Sequence, residues 1–160
     1  MDVHRFHDLS IIASVQPYHL MDDGVWAEKL IGNRTKRLYV FKSLLESGVK
    51  LAAGSDWFVA PPVPIDGICA FVLRETLDGK HPNGFVMNEK ISVEDSLRAY
   101  TVDASFAGFE ENYKGKLREG YLADFVFLDQ DLFSIDPHQI KQTRVMMTVV
   151  NGEIAFERKN

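Results

Sequence analysis

The sequence predicts an α/β unit followed by a β-rich tail, and three observations carry that prediction. Two short apolar runs, IIASVQP (11–17) and VKLAAGSD (49–56), are separated by one segment of helical spacing. Helical spacing returns twice more between residues 65 and 107. The tail ends in VMMTVVNGEIAFER, two apolar runs joined by Asn151-Gly152. Nearly continuous apolar runs mark parallel strands buried on both faces. Residues 11–56 therefore read as one βαβ unit.

Each element has its own signal. Residues 2–8 look like the last turns of a helix, with Val3 and Phe6 apolar. The first strand runs through 11–17 and is ended by Pro17. The stretch LMDDGVWAEKLIGNR (20–34) is polar and Gly-punctuated, and reads as a long loop or lid with one helical turn. Leu38, Phe41, Leu44 and Leu45 then repeat at helical spacing, and Gly48 stands where the residue after a helix C-cap belongs. The second strand, 49–56, runs into Gly54-Ser55-Asp56 and is followed by Pro61-Pro62.

Ile65, Ile68, Cys69, Val72 and Leu73 predict a second helix. GKHPNGF (79–85) reads as a loop. Ser92 is placed to cap a third helix, with Glu94 and Asp95 in its first turn, where the helix dipole favours acids. Val93, Leu97, Tyr100, Ala104 and Ala107 share one face of it. From residue 114 the pattern turns to short strands. Asn-Gly between them is a hairpin signal, because both loop residues must take positive φ.

The bulk numbers bound the function. A chain of 160 residues with 46% hydrophobic residues and eleven Phe can build a core. The net charge is −5 and no Lys/Arg-rich stretch points to nucleic acid. No apolar stretch approaches the roughly 20 residues of a membrane span, and MDVHRFHDLS has no signal-peptide core. The single cysteine, Cys69, lies in an apolar run and reads as a buried structural thiol. A reducing, cytoplasmic setting fits. Phosphate-loop, nucleophile-elbow, CxxC and HExxH motifs are absent.

Two residues stand where chemistry is done in α/β proteins. Asp56 closes the second strand, and catalytic groups of α/β barrels sit at the C-terminal strand ends. A carboxylate there can bind a metal and take the proton of metal-bound water. The alternative is a Ser-Asp turn that caps the next helix. His19 follows the first strand directly, so two consecutive strand ends offer an imidazole and a carboxylate to one mouth. The alternative for His19 is a solvated loop histidine. Trp57 follows Asp56 at the rim and is the better pocket candidate of the two tryptophans, Trp26 being the other. His4 and His7 are spaced to bind metal but precede the strand, at the end opposite the mouth, and read as solvated. His81 and His138 stand in loops beside proline without a sequence partner.

The runs ASVQPYHLMDDGVWAEKLIG, YVFKSLLESGVKLAAGSDWFVAPPVPIDGI, ISVEDSLRAYTVDASFAGFEENYKGKLREGYLADFVFLD and TVVNGEIAFE, in this order, resemble the C-terminal portion of the amidohydrolase superfamily. The likeness is to the amidohydrolase 3, or YtcJ-like, branch, which includes N-substituted formamide deformylase. It covers nearly the whole chain. The resemblance implies a metal-dependent (β/α)8 TIM barrel with a small β-sandwich built from both chain ends. Residues 1–113 would be the C-terminal part of that barrel, with strands seven and eight, and 114–160 a segment of the sandwich. Asp56 matches the aspartate at the end of the eighth strand, which in the family binds the metal, usually zinc or another divalent ion, and shuttles the proton of the attacking water. His19 matches the seventh-strand end and would line the substrate pocket with Trp57.

The family's HxH on the first strand, its lysine or equivalent on the fourth, and its histidines on the fifth and sixth have no counterpart here and would lie before Met1. The chain therefore reads as the C-terminal segment of an enzyme that hydrolyses a C–N bond, of amide or formamide type, in a small molecule. Catalytic zinc needs three protein ligands plus water. Asp56 and His19 cannot supply them, so the isolated chain is expected to bind no metal and to be inactive. Two parallel strands also leave open edges, so self-association is expected. The rival is a non-catalytic module held together by self-association or by a partner.

Overall fold

The computed structural model describes residues 2–159. A short helix α1 (Val3–Asp8) leads into strand β1 (Ala13–Val15). Helix α4 (Phe41–Glu46) leads into strand β2 (Leu51–Ala53). The two strands pair in parallel, Ala13 with Leu51, Ser14 with Ala52 and Val15 with Ala53. The expected βαβ unit is therefore present, but burial on both faces is not. Ala13 and Leu51 are buried, Ser14 is exposed, and Ala52 and Ala53 are half-buried. Among the described residues this sheet has two strands, with three paired residues each, so much of the ribbon is left uncovered.

Between β1 and α4 the structure departs from the expected loop. Residues 18–37 form helix α2 (Tyr18–Asp23), helix α3 (Ala27–Ile31) and a 3-10 turn (Gly32–Arg37). The polar residues hid the pattern. Leu20, Met21 and Ala27 are buried in the main core and hold the helices down. The end of α4 follows the sequence reading. Gly48, at φ 80°, donates to Leu45 O at 2.8 Å, and Val49 donates to Leu44 O at 3.1 Å. These are the two bonds that satisfy the last carbonyls of a helix ending in a left-handed glycine.

Helix α5 (Pro64–Leu73) is the centre of the molecule. Seven of its residues, from Ile65 to Leu73, are buried, and they face both cores, as expected of a helix apolar nearly all round. One core gathers Leu20, Phe41, Leu51 and Phe71 with Phe85 and Ala99. The other joins Ile65, Ile68 and Cys69 to Leu132 and Ile140 of the tail. The helix predicted from Ser92 forms with its cap, Asp95 N–H donating to Ser92 Oγ at 3.0 Å. It breaks at Thr101 into α6 (Val93–Tyr100) and α7 (Val102–Ala107).

The tail is a three-stranded antiparallel sheet in the order β3 (Phe125–Leu128), β4 (Val145–Val150), β5 (Glu153–Glu157). Asn151 and Gly152 turn the hairpin with φ of 52° and 80°. Its tip is tied down by Asn151 N–H donating to Asp124 Oδ1 at 2.7 Å. β5 is exposed along its whole length.

Candidate active site

Parallel pairing decides where the candidate residues lie. β1 and β2 run in register, and Gly54 N–H extends the pair by donating to Val15 O at 3.0 Å. Both C-terminal ends therefore open on the same side. Asp56 is three residues beyond β2 and His19 four beyond β1. The strand ends that carry an imidazole and a carboxylate are neighbours.

Asp56 takes the left-handed conformation, φ 55°, and its carbonyl accepts from Val59 N–H at 2.7 Å. This tight turn leaves the side chain exposed. Asp56 caps no helix: the cap of α5 is Val63, and no side chain bonds there. His19 lies in the first turn of α2, half-buried, with its backbone N–H on Gln16 O at 3.2 Å. Its Nε2 is buried and has no hydrogen-bond partner, so the solvated-loop reading does not hold. Pro17, one position before α2, is buried against α5 at Gly67. That close approach is possible because Gly67 has no side chain.

Trp57 is exposed and its ring lies 4.8 Å from that of Phe58. Phe58, Val59 and Val63 are exposed as well, giving an apolar rim directly after Asp56. Trp26 is also exposed. His4 and His7 are solvent-facing on α1. His81 lies edge-on to Phe85, with ring centres 5.2 Å apart. His138, which has no partner in the sequence pattern, reaches Glu75 with Nδ1 3.1 Å from Oε1. Proline after Asp136 starts a 3-10 turn that packs on α5 and brings them together.

One group of polar residues has no sequence signal. Arg74 sits at the C-cap of α5 in the left-handed conformation and is fully buried. Its Nε donates to Phe85 O at 2.7 Å, and its Nη1 donates to Tyr39 O at 2.9 Å and Glu89 O at 3.3 Å. Burial pushes its pKa down to about 10, so it stays charged at neutral pH. The Glu89 carboxylate accepts from Ser43 N–H at 2.9 Å and from the Ser43 hydroxyl, closing the first turn of α4. The Tyr39 hydroxyl donates to Asp23, and burial with that carboxylate raises its pKa. Partners 11 to 46 residues apart are invisible to local spacing.

The donor set does not fit a metal ion. Among the described residues no group of three or more His, Cys, Asp or Glu side chains is placed to hold one. Asp56 and His19 are two donors, and three protein ligands are the ordinary minimum for catalytic zinc. Among the described residues no helix is long and apolar enough to cross a membrane.

A sequence model described as the amidohydrolase family matches residues 1–156. The chain belongs to the amidohydrolase family. It is 40% identical over 154 residues to the protein LONG AFTER FAR-RED 3 of Arabidopsis thaliana, covering 93% of this chain and 25% of that protein. It is 31% identical over 157 residues to YtcJ of Bacillus subtilis, covering 98% of this chain and 30% of YtcJ. It is 25% identical over 122 residues to N-substituted formamide deformylase of Arthrobacter pascens, covering 76% of this chain and 22% of the deformylase. A crystal structure of a metal-dependent hydrolase from Pyrococcus horikoshii superposes with a TM-score of 0.72 at 25% identity, over 86% of this chain and 28% of that one. The chain thus spans between about a fifth and a third of the length of these relatives. Its mixed α/β architecture is that of the superfamily fold.

Proposed function

We propose that this chain is the C-terminal segment of a metal-dependent amidohydrolase that hydrolyses a C–N bond, of amide or formamide type, in a small molecule. In this reading β1 and β2 are strands seven and eight of the barrel, within residues 1–113, and residues 114–160 belong to the sandwich. Asp56 is the catalytic carboxylate and the metal ligand that the segment contributes. His19 and Trp57 belong to the substrate pocket. The metal is zinc or another divalent ion.

The observation that carries the reading is the exposed, uncapped Asp56 at the C-terminal end of β2, beside the β1 end that holds His19. The name of the deformylase relative supports the bond type. A carboxylate freed from capping and salt bridging is available to accept a proton, and a general base needs that freedom. Phe58, Val59 and Val63 beside it form an apolar rim that would exclude water around a bound substrate.

The described residues of this chain do not by themselves make a metal site. The isolated chain is inactive in this reading. Purified chain is incubated with zinc and, separately, with manganese, dialysed, and assayed for bound metal and for formate release from N-substituted formamides. Neither tight metal nor turnover is expected. Steady turnover that disappears in Asp56→Ala would show that this chain is itself the enzyme.

A further inference from the structure

We propose that the cleft between residues 28–36 and 84–88 binds a phosphate-bearing small molecule. The cleft has a volume of about 690 Å3 and is lined by Asn33, Thr35, Lys36, Gly84 and Asn88, with Glu28 as its one carboxylate. That volume lies in the range of small-molecule sites.

The charge around it is reversed relative to the rest of the protein. The chain carries a net −5 and has no basic run long enough to suggest nucleic acid, but EKLIGNRTKR (28–37) is locally basic, with Lys29, Arg34, Lys36 and Arg37 against Glu28 alone; of these, Lys36 and Glu28 line the cleft. Lys90 lies just beyond the other wall, residues 84–88. Its stem lies against Gly84, where a Cβ would come within 2.8 Å of Lys90 Cε. None of these five cations forms an ion pair among the described residues. Behind the wall is Arg74, fully buried, bonded to Phe85 O and Glu89 O on either side of the lining residues 86–88. It has no ion-pair partner either, and its Nη2 is without a hydrogen bond. The nearby Glu89 carboxylate is engaged by Ser43. A cleft with Lys36 in its lining, further cations flanking it and a buried guanidinium behind one wall attracts anions.

The donors select among anions. The lining offers a lysine ammonium, a threonine hydroxyl and two side-chain amides, while Arg34 and Arg37 flank the cleft without lining it. Ammonium groups act as point charges that suit a tetrahedral phosphate. Lys36, Asn33 and Asn88 therefore read as the phosphate contacts, and the remaining volume takes the rest of the ligand.

The test needs neither metal nor turnover, so its outcome is independent of the hydrolase reading. Inorganic pyrophosphate is titrated calorimetrically into the full chain at low ionic strength, with succinate and sodium chloride as controls. Amide hydrogen exchange maps the bound region. Expected are pyrophosphate binding above both controls and added protection confined to 28–37 and 84–90. Lys36→Ala and Lys90→Ala should each weaken binding by about fivefold, the upper end for one exposed charge pair. Lys116→Ala, a lysine of the groove beside β3, should leave it unchanged. Lys36→Gln repeats the test with the side-chain stem kept. Succinate binding as tightly as pyrophosphate, protection spread over all basic segments, or both Lys36 variants binding like the parent would overturn the proposal.

Discussion

Replacing Gly67 by alanine probes the contact that seats the end of β1 on the central helix. Gly67 lies inside α5, where an alanine ordinarily gains about 1 kcal/mol over glycine. Here a Cβ would overlap the Tyr100 hydroxyl, sit 2.8 Å from Tyr100 Cζ and lie 3.1 Å from Pro17 Cγ. Overpacking costs about 1–3 kcal/mol. An overlap with an aromatic side chain in a filled core belongs at the upper end of that range. The net expectation is a loss of about 2 kcal/mol, the steric cost of about 3 less the propensity gain of about 1. Tyr100→Phe removes the overlapping atom and should be nearly neutral alone. In the double variant the worst contact is gone, so most of the loss should return, a coupling of about 2 kcal/mol. The four proteins are unfolded in urea at one chain concentration and followed by far-UV circular dichroism. At slopes of about 1–3 kcal/mol per molar urea, the single variant should lose on the order of 1 M in midpoint. A Gly67→Ala protein as stable as the parent, or a double variant no better than the single, would refute the reasoning.

Four further outcomes are expected. In a full-length family barrel carrying this segment, Asp56→Asn should lower kcat by about 10²–10⁴-fold, the usual worth of a general acid–base group. His19→Ala should act mainly on KM, and the reverse pattern, measured together with bound metal, would exchange the two roles. The isolated chain should associate: it exposes 10086 Å2 at 18.2 kDa, whereas a compact monomer of that mass exposes about 8100 Å2. Phe58 and Phe109 stand 84% and 86% exposed. A monodisperse monomer in light scattering with a sharp melt would count against this. Burial, with Asp66 nearby, pushes the Cys69 thiol up to about 12, so it should resist thiol reagents at pH 8 until the protein unfolds. The raised value favours the folded state below the ordinary thiol value of 9.0 and loses that contribution between there and about 12. Burial raises Tyr100 to about 12 and acts in the same direction. The urea midpoint should therefore fall from pH 8 to pH 10.5, and an unchanged midpoint would contradict the assignment.

Local chemistry was legible wherever one residue type decides the backbone. Ser92 caps α6, Gly48 ends α4, and Asn151-Gly152 turns the hairpin, each as the spacing predicts. The order of elements was legible for the same reason, since apolar period separates strands from helices. The polar segment 20–34 was misread because its few apolar residues, Leu20, Met21 and Ala27, reveal a buried face only once a core exists to receive them. Both strands were expected to be covered on two faces, and Ser14 is exposed because composition reports hydrophobicity and not neighbours.

By itself the sequence determined that a carboxylate closes one apolar strand and an imidazole follows another. Only the tertiary structure decided that the two strands pair in parallel and in register, which turns two separate strand ends into one rim. It alone also decided that Asp56 caps nothing, that Arg74 is buried among the carbonyls of Tyr39, Phe85 and Glu89, and that Glu89 closes a helix 46 residues away. A side chain's role as cap, core charge or exposed acid depends on which distant groups reach it, and that is settled when the chain packs.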